Sequence, residues 1–170
     1  PPPVIPTVEM DYSFARSAVP GDQLATIALA VERQTVFAFA PVVVAGCSSD
    51  DYLMRQLEGY MTDLGAFGTV VLRTESENPM RSVSQSLARR RGDQLTLVQT
   101  TPPGSSSSLC GCELFSRSLM ALVRTLAITY QDRWGAKFRG DSPMMSWAVR
   151  HAAWLHNRFM GHRAHGGCTS

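Results

Sequence analysis

Thr7-Val8-Glu9-Met10-Asp11-Tyr12-Ser13-Phe14 alternates apolar and polar side chains. A strand repeats its faces every two residues, so Val8, Met10, Tyr12 and Phe14 share one face and Glu9, Asp11 and Ser13 the other. Downstream, Pro20-Gly21-Asp22 is a turn, and Gln23 to Arg33, rich in Ala, Ile, Leu and Val, predicts a second strand. Gln34-Thr35 makes a short turn into a third strand over Val36 to Val44. The three strands predict an antiparallel meander.

The period then changes. Ser48-Ser49-Asp50-Asp51 is a helix start with acidic residues in the first turn, and Leu53, Met54, Leu57, Tyr60 and Met61 follow on one stripe. Gly65 closes that helix. Phe67 to Leu72 predicts a buried fourth strand, Ser76 to Arg91 a second helix broken or started at Pro79, and Leu95 to Gln99 a fifth strand. Thr100 to Ser108 reads as a flexible loop. A long helix comes next, with Phe115, Leu119, Leu122, Val123, Leu126 and Tyr130 on its core face. The stretch from Trp134 to Pro143 is irregular. A last helix starts at Ser142-Pro143, with Met145, Val149, Ala152 and Leu155 or His156 inward. A meander followed by two helix-separated strands predicts an α/β fold with a five-stranded mixed sheet flanked by helices.

The 170 residues suit one domain, and 44% hydrophobic against 18% charged residues gives it enough to bury. Residues 1–6 read as a stiff Pro-rich linker, 7–160 as the domain and 161–170 as a flexible tail. The longest apolar run, Val36 to Gly46, contains Pro41 and falls short of the ~20 residues of a membrane span. The start lacks the basic and then apolar pattern of a secretory signal. A net charge of +2 does not by itself announce a polyanion partner, although Lys137 is the only lysine beside 15 arginines. Cys110 and Cys112 flank a single glycine, too tight for a CxxC pair, and no second pair answers them. Cys47, Cys110, Cys112 and Cys168 therefore read as free thiols in a reducing setting.

Three carboxylates fall at structured ends. Asp11 is in the first strand, Glu75 directly follows the fourth, and Glu113 opens the long helix. If the fourth strand adds beside the first, these hard oxygen ligands suit Mg²⁺ or Mn²⁺. A pair of such ions can activate a nucleophile and hold the leaving oxygen of a phosphodiester.

Val8-Glu9-Met10-Asp11-Tyr12, Val71-Leu72-Arg73-Thr74-Glu75-Ser76-Glu77-Asn78, and Thr101-Pro102-Pro103-Gly104-Ser105 through Glu113 together resemble the catalytic core of retroviral and retrotransposon integrases. The likeness runs on through Val123-Arg124-Thr125-Leu126 and Ser146 to Phe159, so it covers about residues 7 to 160. It implies an RNase H-like fold and a polynucleotidyl transferase that processes DNA 3′ ends and joins them to target DNA. It also implies two Mg²⁺ or Mn²⁺ ions held by Asp11, Glu75 and Glu113, a homodimer or larger assembly on DNA, and an intracellular, nuclear place of action. Ser105 and Ser106 stand in the loop that contacts DNA in the family, and Arg117 and Arg124 on the helix whose polar face does so. Glu75 occupies the place of the family's second Asp, and one more methylene shifts a ligand by ~1 Å, which implies impaired activity. Ser108-Leu109-Cys110-Gly111-Cys112 and Leu114 also depart from the family's pattern around its final Glu.

Other clusters carry less. His151 and His156 are five apart, and His162, His165 and Cys168 lie in a Gly-rich tail, so they read as solvated or structural. Arg89-Arg90-Arg91 reads as a charged helix end, with phosphate contact as its alternative. Trp134, Trp147 and Trp154 read as core or interface aromatics. The alternative function is a non-catalytic RNase H-like module that binds nucleic acid or assembles partners. A ribonuclease H is disfavoured, because Ser142 to Phe159 lacks the acidic residue that family carries on its last helix.

Overall fold

The computed structural model describes residues 5–16, 21–22, 24–43, 51–75, 78–92, 94–101, 109–137 and 139–159. The strands are β1 (Thr7–Ala15), β2 (Ala25–Glu32), β3 (Ala38–Phe39), β4 (Val42–Val43), β5 (Val70–Thr74) and β6 (Thr96–Thr100). The helices are α1 (Asp51–Asp63), α2 (Asn78–Arg90), α3 (Cys110–Trp134) and α4 (Pro143–Phe159). The sheet order is β3-β2-β1-β5-β6, with β4 also paired to β2. β1 is central: it runs antiparallel to β2 and parallel to β5, and β5 runs parallel to β6.

The alternation in β1 serves two cores rather than one core and solvent. Val8 and Met10 join Leu53, Leu57, Met80, Val83 and Leu87 of α1 and α2 on one side of the sheet. On the other side Ala15, Ile27, Leu29 and Val31 pack under Phe115, Leu119 and Val123 of α3 and Met145, Val149 and Ala152 of α4. Both faces of β2 are therefore covered, which explains its continuous apolar run. The stripe expected on α1, Leu53, Met54, Leu57, Tyr60 and Met61, is buried throughout. Phe67, placed in the fourth strand by its sequence, is exposed, and the strand begins at Val70.

The single third strand expected over Val36 to Val44 is two short ones, β3 and β4. Pro41 has no N–H to give to a ladder, so pairing lapses at Ala40-Pro41, and only the Pro41 carbonyl engages, accepting from Ala28 N at 3.0 Å. The outer edge of β3 is closed from α4. Asn157 Oδ1 accepts from Ala38 N at 2.9 Å, and Asn157 Nδ2 donates to Ala38 O at 2.7 Å. One side chain thus stands in for a neighbouring strand. α3 ends at Gly135, whose left-handed φ of 67° lets its amide return to Gln131 O.

Cys110 is disulfide-bonded, while Cys112 is free and buried. This corrects the expectation of free thiols throughout: local spacing excludes a Cys110–Cys112 bridge but is silent on partners distant in sequence. The proposed N-cap residues 48–50 lie outside the described residues, as do residues 1–4 and 160–170. Among the described residues no helix is long and apolar enough to cross a membrane.

Candidate functional site

β1 and β5 keep parallel register up to the pair Met10 and Thr74, where β5 ends. Asp11 and Glu75 each follow that last pair by one residue, at the carboxyl end of β5. Open α/β sheets place their ligand clefts outside the carboxyl ends of their strands. Pro6 O accepts from Val71 N, so the even-numbered residues of β1 turn their backbone groups to β5. The Tyr12 amide consequently points past the end of β5, and Asp11 Oδ1 accepts its hydrogen bond at 2.7 Å.

Two contacts join this stretch of β1 to α3. Glu9 Oε2 accepts hydrogen bonds from Gly111 N at 2.8 Å and Cys112 N at 3.3 Å. Four residues along, Ser13 Oγ and Ser116 Oγ are 2.8 Å apart. Glu9, Asp11 and Ser13 share a face, so Asp11 lies between the two contacts on the strand while Glu113 lies between them on the helix. The Cys112 thiol is enclosed here. Burial, then the nearby Glu9 and Asp11 carboxylates, push its pKa well above the ordinary thiol value.

Glu113 does not face Asp11 in this structure. It is paired with Arg117 one turn along α3, both on the exposed flank. Among the described residues no three His, Cys, Asp or Glu stand as a group that could hold a metal ion. The chemistry of the donor set still suits a hard divalent ion: three carboxylates, two of them each one residue past the last β1–β5 pair and the third within one helical turn of a fixed strand contact. The Glu113–Arg117 contact is an exposed i,i+4 ion pair, a kind of interaction worth about 0–1 kcal/mol.

No family model matches the chain, and no curated protein matches its sequence. Solved structures do match. A chain of the simian T-cell lymphotropic virus intasome, solved in complex with PP2A regulatory subunit B56 gamma, aligns with a TM-score of 0.67 and 16% identity, over 96% of this chain and 55% of that one. The catalytic core domain of BIV integrase aligns with a TM-score of 0.54 and 18% identity, over 95% of this chain and 86% of that one. The chain has the fold of an integrase catalytic core. It is a mixed sheet of RNase H-like type between helices, and it spans about half the length of the intasome chain.

Within this integrase-core fold the remaining candidates separate clearly. Arg117 and Arg124 are both exposed on α3, Arg117 as the partner of Glu113. Ser105 and Ser106 lie outside the described residues. Arg90 and Arg91 have structural work: Arg90 bridges Asp51 and Glu58 of α1, and Arg91 donates to Gly68 O and Thr96 Oγ1. His156 is buried edge-on against Phe115, a structural role, whereas His151 stacks between Trp147 and Trp154 on the outer face of α4. Trp134, Trp147 and Trp154 are exposed, so none is a core residue. Glu9, which the sequence reading passed over, is the buried carboxylate of the site.

Proposed function

We propose that this chain is the catalytic core of a retroelement integrase, which binds DNA ends and transfers phosphodiester bonds in a divalent-metal-dependent reaction. The observation that carries the proposal is the double tie of β1 to α3. Glu9 to Gly111 and Ser13 to Ser116 set the strand bearing Asp11 against the helix bearing Glu113, and Asp11 and Glu75 each directly follow the last paired residues of β1 and β5, Met10 and Thr74.

In this reading Asp11, Glu75 and Glu113 would hold two Mg²⁺ or Mn²⁺ ions. When bound, the ions would ready the attacking oxygen and offset charge on the leaving one. To serve as a ligand, the Glu113 carboxylate would have to leave Arg117. The freed guanidinium then joins Arg124 on the exposed flank of α3, where both contact DNA phosphates as the DNA approaches Asp11. Ser105 and Ser106 precede that helix and complete the DNA-contacting set. Water attacks first, freeing a 3′-hydroxyl near the element's end; that hydroxyl then attacks a phosphodiester of target DNA, which in the cell is nuclear. The acting form is a homodimer or larger assembly on DNA.

A labelled DNA duplex carrying an element end, incubated with the chain and Mn²⁺, tests this. The wild type should nick and join weakly, Glu75→Asp should raise the rate about tenfold by shortening a ligand that reaches ~1 Å too far, and Asp11→Asn should abolish it. DNA bound but never cut, by wild type and Glu75→Asp alike, would make the chain a non-catalytic nucleic-acid-binding module. Cutting confined to the RNA strand of a hybrid would make it a ribonuclease H.

A further inference from the structure

Glu9 is 1% exposed, and a carboxylate removed from water needs donors. It finds them on α3. The amides in the first turn of a helix have no partners within the helix, and the positive end of its dipole favours an anion. α3 has no side-chain cap of its own, because the residue at its N-cap is Leu109. Glu9 reaches across from β1 and accepts from Gly111 and Cys112 through one oxygen, while Arg33 Nε stands 3.9 Å from the other. The approach is so close that a Cβ on residue 111 would lie 2.7 Å from Glu9 Oε2. Only glycine leaves room for that oxygen without a shift.

We infer that Glu9 is a positioning residue: by capping α3 from β1, it sets where Glu113 stands relative to Asp11. The inference rests on the functional reading above. Glu9 and Asp11 are two residues apart on one face of one strand, and Gly111, Cys112 and Glu113 share one helical turn. A strand and a helical turn are each stiff units, so the carboxylate joining them fixes the offset between the two candidate ligands. Sites of this kind lose function when ligands drift by ~1 Å. The Ser13–Ser116 contact sets the same two elements farther along but does not touch the first turn of α3.

The test compares the full chain as wild type, Glu9→Gln and Glu9→Leu. Gln keeps an oxygen acceptor at the same reach; Leu keeps bulk without one. Amide hydrogen exchange at Gly111 and Cys112 is read against β2 amides, and Mn²⁺ affinity is measured on the same samples with a DNA duplex present. Glu9→Leu should speed exchange at Gly111 and Cys112 about tenfold, leave β2 unchanged and weaken Mn²⁺ binding about tenfold, as expected for a lost charge-assisted bond. Glu9→Gln should stay within about threefold of wild type on both. If Glu9→Leu does not fold, Gly111→Ala, which pushes Oε2 from its seat, should weaken Mn²⁺ binding in the same way. Wild-type exchange in Glu9→Leu, or faster exchange with unchanged Mn²⁺ affinity, would overturn the inference, as would a Gln variant as impaired as Leu. A wild type that binds no Mn²⁺ would instead overturn the functional reading, and the exchange data alone would then decide whether Glu9 holds α3.

Discussion

Ser13 Oγ on β1 and Ser116 Oγ on α3 stand 2.8 Å apart, joining the central strand to the helix that carries Glu113. This single bond spans more than a hundred residues of chain. It marks the far end of the strand–helix seam in which Asp11 sits, Glu9 marking the near end.

That bond is measurable by a double-mutant cycle. Ser13→Ala and Ser116→Ala should each destabilise the fold by about 1 kcal/mol in urea unfolding, and the double variant should cost less than their sum by about 0.5–1 kcal/mol. Strict additivity would mean that the two hydroxyls are not bonded in solution.

The exposed flank of α3 makes a second prediction. Arg117→Ala and Arg124→Ala should leave stability within about 0.5–1 kcal/mol of wild type, because Arg117 belongs to an exposed ion pair and Arg124 is exposed. Each should weaken duplex binding uniformly across sequences and lower the salt-dependence slope by about one. Fluorescence anisotropy at several salt concentrations checks this, and an unchanged slope would take DNA off this face.

The enclosed thiol makes a third. Burial and the carboxylates of Glu9 and Asp11 raise the Cys112 pKa well above the ordinary thiol value, and burial likewise raises that of Tyr60 well above the ordinary phenol value. The folded state therefore keeps these protons at pH values where the unfolded chain has released them. Their contribution to stability is complete below the unfolded-state values and is lost as pH rises toward the folded ones. Unfolding free energies from urea titrations should be flat to about pH 8 and fall above pH 9, by up to about 1.4 kcal/mol per pH unit for each group. Cys112→Ala should flatten the pH 9–10 portion. An unaltered slope in that variant would mean that Cys112 is not the titrating group.

How much of this was legible in the sequence follows from what each residue reports locally. The two- and 3.6-residue periods placed β1, α1 and the core face of α3, because burial on one face leaves a pattern in the chain itself, while β2, buried on both faces, was placed by its apolar richness. The carboxylates at 11, 75 and 113 were visible for the same reason, each standing at the end or on the polar face of a recognisable element. Val36 to Val44 misled because its apolar run outweighed the missing N–H of Pro41. Of the two readings of the three tryptophans, core or interface, exposure removes the core one, because size and apolarity do not say which way a helix faces. Glu9 was the larger loss. Its neighbours give it an ordinary polar-face position, and its role exists only because Gly111, 102 residues away, offers an amide and leaves no Cβ in the way.

The most direct test of the central claim is Mn²⁺ binding by calorimetry in the presence of a DNA duplex, for wild type, Asp11→Asn and Glu113→Gln. Asp11, Glu75 and Glu113 acting as one ligand set predicts saturable binding to the wild type, with affinity reduced at least about tenfold in each variant while the fold is retained. Identical isotherms for all three proteins would contradict it, showing that these carboxylates do not hold the ion.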